Sequence, residues 1–98
     1  MSSYKITKYT LNQAKKLGVT VKPSTRKDKK IDVFKNDEKI ASIGGIRQNG
    51  EPYKDFPTWT QEKGLAYAKE RRRLYRIRHK GEEKDIGSPG FYAWMLLW

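Results

Sequence analysis

There is no cysteine in this chain, which excludes disulfide bridges, thiolate metal centres and a cysteine nucleophile. Histidine occurs once, as His79, so a pair of imidazole ligands is excluded as well. Acidic residues are scarce, 11 against 22 Lys and Arg, for a net charge of +11. No apolar run approaches membrane-spanning length, and no charged-then-apolar leader opens the chain. These gaps point to an intracellular or packaged protein with no membrane partner, not to a secreted one. A glycine-rich phosphate loop and a nucleophile elbow are missing too. The sequence therefore assigns no catalytic residue, no metal and no cofactor, and an enzyme is not expected.

What is present is charge and aromatic area. The 98 residues supply one hydrophobic core and not two. The chain reads as a single domain over 1–98, with 1–9 a candidate flexible segment and 24–30 a basic loop. Three Trp, six Tyr and three Phe bury much area per residue and suit a small, ring-weighted core. Charge is uneven. Residues 1–30 carry nine Lys or Arg and one Asp, residues 31–64 five against six acids, and residues 65–98 eight against four. A neutral middle between two basic segments favours an organised patch. Such a field attracts nucleic acid or an acidic surface and is silent on fold.

Thr10 reads as the N-cap of a short helix through Leu11, Ala14 and Leu17, with Gly18 as its left-handed stop. Val19–Val21 is short and β-branched, and closes at Pro23. Residues 24–30 are polar and basic with nothing to bury. The clearest strand signal follows: Ile31–Lys35 and Lys39–Ile43 flank Asn36-Asp37-Glu38, a turn rich in residues that tolerate positive φ. Gly44-Gly45 breaks the second strand, and Gln48–Pro52 is a loop. Thr58 and Gln61 form a capping box for a helix over 58–63. Gly64 separates it from a longer helix over 65–79, which Gly81 stops. Ser88-Pro89 caps a last helix over 90–98, apolar all round and so expected in the core. The spacing predicts an α+β fold, a small three-stranded antiparallel sheet packed against a long basic helix and an aromatic C-terminal helix. Val33, Ile40, Ile43, Leu74, Ile77, Phe91, Trp94, Met95 and Trp98 form its expected centre.

Between Lys69 and Lys80 the chain reads KERRRLYRIRHK. At about 100° per residue, Lys69, Arg73, Arg76 and Lys80 share one stripe about 60° wide, with Arg72 alongside. Forked guanidinium groups suit hydrogen-bonded phosphate contacts. One helical turn, about 5–6 Å, is close to the spacing of successive phosphates on a strand. These five residues are the leading candidates for nucleic-acid contact, and Arg26, Lys27, Lys29 and Lys30 form a second group. A solvated helix face is the competing reading. Arg71 and Arg78 lie on the opposite side with Tyr67, Leu74 and Tyr75, where a guanidinium needs a partner. They are assigned a structural role, with Asp55, Asp85 or the Trp98 carboxylate as candidate partners. Trp94 and Trp98 are structural as well.

His79, with Glu82, Glu83 and Asp85 nearby, has the residue types of a metal site or of a general base with its acid. A histidine favourably placed at a helix C-terminus explains it more simply. Tyr53, Phe56 and Trp59 either close the core or, exposed, stack on unpaired bases. So short a chain needs its rings inside, which favours the first.

In order and spacing, KKIDVFKNDEKIASIGG, YKDFPTW, ERRRLYRIRH and GSPGFYAWMLLW resemble a group of small basic proteins encoded by large DNA viruses of algae and protists. The resemblance runs from about Lys29 to Trp98, with a longer connection at Arg47–Pro52 than that group has. It implies a compact fold and a viral origin, and carries no established activity. With the charge pattern, the expectation is a largely sequence-independent nucleic-acid-binding protein. It would act through phosphate contacts in viral genome packaging or replication, on DNA rather than RNA, in the host cell or the virion. One alternative is a small structural virion protein that binds capsid proteins. Another is a metal-dependent nuclease built on His79 and the nearby carboxylates.

Overall fold

A computed structural model describes residues 5–98. Its elements are α1 (Lys8–Leu17), β1 (Thr20–Pro23), β2 (Lys29–Lys35), β3 (Glu38–Gly45), α2 (Phe56–Lys63), α3 (Leu65–Arg78) and α4 (Pro89–Leu97), with a 3-10 turn over Glu82–Lys84. Helices and one antiparallel sheet make this an α+β fold. Ile31 and Val33 lie two apart on β2, so they share one face, and both are fully buried. The strand order is β1-β2-β3. Val21 stands opposite Val33, and Ile31 opposite Ile43, so cross-strand partners complete a single apolar face.

Asn36 and Asp37, at φ of 53° and 65°, form the β2–β3 turn, the two-residue type whose twist matches that of the strands. Glu38, expected within the turn, already pairs with Lys35 as the first residue of β3. Val33 faces Ala41 but Phe34 faces Lys39. Ile40 is therefore the extra residue of a bulge, and it is only partly buried.

Two helices cover this sheet. Phe91, Tyr92, Leu96 and Leu97 of α4 and Ala14 of α1 join the sheet residues in one buried cluster. Ser88 caps α4 as the sequence predicts, accepting from the Phe91 amide at 3.1 Å. At α1 the cap is Thr7, which accepts from the Thr10 amide at 3.3 Å. Thr10 is inside the helix and buried, and its hydroxyl donates to the Leu96 carbonyl at 2.8 Å. A buried hydroxyl is costly unless bonded, so Thr10 acts as a tie between α1 and α4. Leu11 is exposed and leaves the face predicted for it. Lys8 and Tyr9 are helical, so the candidate flexible segment does not reach them, and residues 1–4 lie outside the described residues.

The expected centre needs revision at α3. Ile77 is 59% exposed, Leu74 is half-buried, and the core cluster contains no α3 residue. Ile31, Leu96 and Leu97 fill the middle instead. α3 packs on α2, where Ala68 is fully buried, and meets α4 through Tyr75 and Arg76.

The segment 24–30 is no free basic loop. Ser24 and Thr25 are bound to Asp32, whose carboxylate accepts from the Ser24 and Ser42 hydroxyls at 2.7 Å each and from the Thr25 amide at 3.2 Å. Burial alone would raise the Asp32 pKa, but these donors and the Lys39 ammonium outweigh it and hold the group below its ordinary value. Lys29 and Lys30 open β2. Lys30 is 2% exposed, and its Nζ lies 3.2 Å from Oδ2 of Asp55, which is itself fully buried. Gly44 makes room for it, since at its φ of 80° a Cβ would come within 2.8 Å of Lys30 Cδ. An ammonium sealed in this way cannot meet a phosphate, so Lys30 leaves the nucleic-acid group and becomes a structural residue.

Asp55 also revises the start of α2. It, and not Thr58, is the N-cap, accepting from the Thr58 amide at 3.1 Å and the Thr58 hydroxyl at 2.7 Å. One carboxylate thus begins a helix and neutralises a lysine from the sheet. Burial lowers the Lys30 pKa, and the Asp55 charge and hydrogen bond pull it back up. Removing one partner of such a pair strands a charge, at a cost of about 3–5 kcal/mol. Lys30→Met should therefore lose that much stability in urea unfolding. Adding Asp55→Asn keeps a capping acceptor and removes the stranded charge, so the double variant should regain much of the loss. A double variant as unstable as the two single losses added together would show that the pair is not what holds β2 to α2.

Candidate nucleic-acid interface

α3 is amphipathic in an unusual sense: both of its sides carry arginine. Lys69, Arg72, Arg73, Arg76 and Lys80 line one shallow groove together with Ile77. Four of these cations are exposed and Arg72 is half-buried. The row is not uniformly open. Arg73 is held by Glu70 through two bonds, Nε at 3.0 Å and Nη2 at 2.6 Å. That hydrogen bond, and then the charge, raises the Arg73 pKa and lowers that of Glu70. Arg76 donates to the Trp98 main-chain oxygen at 3.3 Å and lies over the Trp94 ring at 5.2 Å. Burial and the adjacent Arg72 charge both lower the Arg76 pKa, a sign of like charges pressed together. Lys69 and Lys80 make no ion pair among the described residues.

Of the two arginines expected to hold carboxylates, Arg71 lies over the Trp59 ring at 5.3 Å instead, and Arg78 is exposed. Arg72, from the outer row, lies over Phe56 at 3.5 Å. A guanidinium is flat and weakly hydrated, so a ring face can receive it where a lysine would need water. Neither Arg71 nor Arg78 has an ion pair among the described residues, and the Nε atoms of Arg71 and Arg72 are buried without a hydrogen-bond partner. Asp55 is committed to Lys30 and Thr58. Changing Arg71 or Arg78 therefore strands no carboxylate among the described residues. A ring contact of this kind is worth about 0.5–2 kcal/mol, and Arg78 is exposed.

Of the three rings before α3, Phe56 is buried, Trp59 half-buried and Tyr53 exposed. Phe56 packs on Tyr9 at 5.4 Å, and Trp59 tilts against Tyr67 at 5.2 Å. Tyr53 is positioned by the loop before it. Arg47 N bonds Glu51 O at 2.8 Å, and Tyr53 N bonds Gly45 O at 3.0 Å, which lays the Tyr53 ring over Gly45. A Cβ on Gly45 would stand 2.9 Å from that ring. Gly44-Gly45, expected to break the strand, therefore continues it and gives clearance on top.

α3 joins α4 through stacked rings. Tyr75 lies 4.5 Å from Trp98 at an interplanar angle of 9°, and 4.2 Å from His79 at 21°. Trp94 is tilted against the same tyrosine at 6.2 Å. The structural role given to Trp94 and Trp98 thus takes the form of gripping α3. His79 caps the helix C-terminus, and its Nδ1 lies 2.9 Å from Glu82 Oε2. Glu83 accepts from the Gly81 amide at 3.0 Å. Among the described residues, no three His, Cys, Asp or Glu side chains gather in a way that could hold a metal ion.

In the second basic group, Arg26 pairs with Asp28 at 3.1 Å, Lys27 is exposed, and Lys29 is half-buried within β2. Arg26 and Lys27 belong to the β1–β2 connection and Lys29 to β2, not to α3. No helix among the described residues is long and apolar enough to cross a membrane. Compared with protein-family models, characterised proteins and solved structures, the chain matches none.

Tyr75 reports on the ring stack. Burial, then the nearby Glu82 charge, pushes its phenol up to about 12 from the ordinary 10.0, against an opposing pull from Arg78. A folded-state value above the unfolded one gives stability that is complete below the unfolded value and fades as pH rises through the folded one. The protein should therefore keep this contribution up to about pH 10 and lose it towards pH 12. In an alkaline titration of tyrosinate absorbance, Tyr75 should ionise late. Trp98→Ala opens the stack to water and should bring that late step down towards 10.0. An unshifted step would mean that Trp98 does not shield the phenol.

Proposed function

We propose that this protein binds nucleic acid, largely independent of sequence, through phosphate contacts from the outer face of α3. The observation that carries the reading is the groove lined by Lys69, Arg72, Arg73, Arg76 and Lys80, with Glu70 as the acid bound to that row. Arg72 and Arg76 are braced on rings, which limits the rotamer freedom lost when a phosphate docks. No residue of the row belongs to the apolar core. Contacts of this kind position a polymer and carry no sequence information. Viral genome packaging or replication is the proposed setting, and DNA the proposed polymer. Arg26, Lys27 and Lys29 extend the positive field from the sheet side.

Phosphate contact has a thermodynamic signature. Each neutralised phosphate releases counterions, so log K falls with log[salt] at a slope of about −0.9 per contact on duplex DNA. Lys69→Gln with Lys80→Gln removes two cations that make no ion pair among the described residues. The double variant should flatten the slope by about two units, weaken all sequences alike and leave the melting temperature unchanged. An unchanged slope would reduce the row to a solvated helix face and remove the support for this reading.

A further inference from the structure

On the other side of α3 a cleft of 870 Å³ opens between β3, the loop that carries Tyr53, and the ends of α3 and α4. It is lined by two kinds of group. Arg47, Lys54, Arg71 and Arg78 bring positive charge, with Glu51 as the acid among the lining residues, while Tyr53, Trp59, Tyr75 and Trp98 bring ring faces. Gly44 and Gly45 line it as well, their missing side chains making room for Lys30 and for the Tyr53 ring. The volume falls in the range of small-molecule sites, about 300–1,000 Å³.

The details point to a ligand that is both flat and anionic. Tyr53 is 53% exposed, with Arg47 stacked on it at 4.9 Å. Trp59 carries Lys54 at 5.1 Å and Arg71 at 5.3 Å. Arg71 is half-buried and Arg78 exposed, and neither makes an ion pair among the described residues. Guanidinium groups without an acid, beside a half-open ring, are the pairing that a phosphate and a base would complete. A duplex cannot enter, because its bases are stacked inside and its width far exceeds the cleft.

We infer that this cleft holds one unpaired nucleotide, its base against Tyr53 and Trp59 and its phosphate on Arg71 and Arg78. The inference rests partly on the nucleic-acid reading, but it concerns the opposite side of α3 from the proposed phosphate row and can be tested alone. The nucleotide could be free or part of a single strand.

The test has two arms. In the first, a nucleoside monophosphate is titrated against tryptophan fluorescence, with inorganic phosphate as the control. Saturable quenching by the nucleotide and not by phosphate is expected. Tyr53→Ala, outside the core, should weaken it by about tenfold or more, as the loss of base stacking does. Arg78→Gln should weaken it as well, with melting temperature checking that both variants fold. Quenching by phosphate of equal strength, or variants that bind like the original, would overturn the cleft as a nucleotide site whatever happens at α3. In the second arm, a short oligothymidine and a duplex of the same length are compared. Tyr53→Ala should weaken the single strand and spare the duplex, whereas Lys69→Gln with Lys80→Gln should weaken both. Nucleotide binding without a single-strand effect assigns the cleft to free nucleotides. Equal weakening of single strand and duplex by Tyr53→Ala overturns the assignment to an unpaired base.

Discussion

The Lys30–Asp55 pair sets opposite charges against each other in a dry interior, and the two come from parts of the chain that share little apolar surface. Lys30 opens the central strand, and Asp55 opens α2. Nothing between residues 44 and 90 belongs to the hydrophobic cluster, so the α2–α3 pair is not held by the usual burial of a greasy face. Its attachment combines the Asp55 pair with the Phe56–Tyr9 ring contact at one end and stacks Tyr75 against Trp98 at the other. The rest of the layout follows. Gly44 must lack a side chain because Lys30 passes over it, and the helix dipole of α2 points its positive end at the same carboxylate.

Arginine does three separate jobs along α3. Arg73 is tied to an acid, Arg71, Arg72 and Arg76 lie against rings, and Arg78 stands open. With Phe56, Trp59 and Trp94 spread along its path, the helix is seated by guanidinium–ring contacts where a leucine stripe would ordinarily serve. That is why a helix so poor in buried apolar residues, with Ala68 and Tyr75 its buried members, still has a fixed place.

The sequence made the strands, the hairpin, the long helix and the Ser88 cap readable because each depends on neighbours: alternation, turn residues, helical period. Lys30 was unreadable for the opposite reason. Its partner lies 25 residues away, and among Arg26, Lys27 and Lys29 it looks like one more solvated cation. The same applies to Thr10, a capping residue by type that bonds Leu96 across the fold. Ile77 misled through its period, since helical spacing places it on a face without saying whether anything covers that face. Acids are rare here, so in place of the expected ion pairs Arg71 meets the Trp59 ring and Arg78 stands open. A reading that weighed Trp59 and Phe56 as receptors for guanidinium would have found the Arg71 and Arg72 contacts. The α3 row itself was legible, since a stripe at helical period needs only the helix to exist.

The buried cluster draws on the sheet, α1 and α4, while the cationic row sits on an arm attached at its two ends. What keeps the core folded and what Lys69, Arg73 and Lys80 present to the outside are therefore carried by different residues, while Arg72 and Arg76 also seat the helix on rings. Substitutions at Lys69, Arg73 and Lys80 can alter charge, reach or spacing without spending the few kcal/mol that separate a small domain from its unfolded chain. The surface is free to drift towards new partners while the core stays as it is, a division of labour that leaves even a chain this short room to evolve.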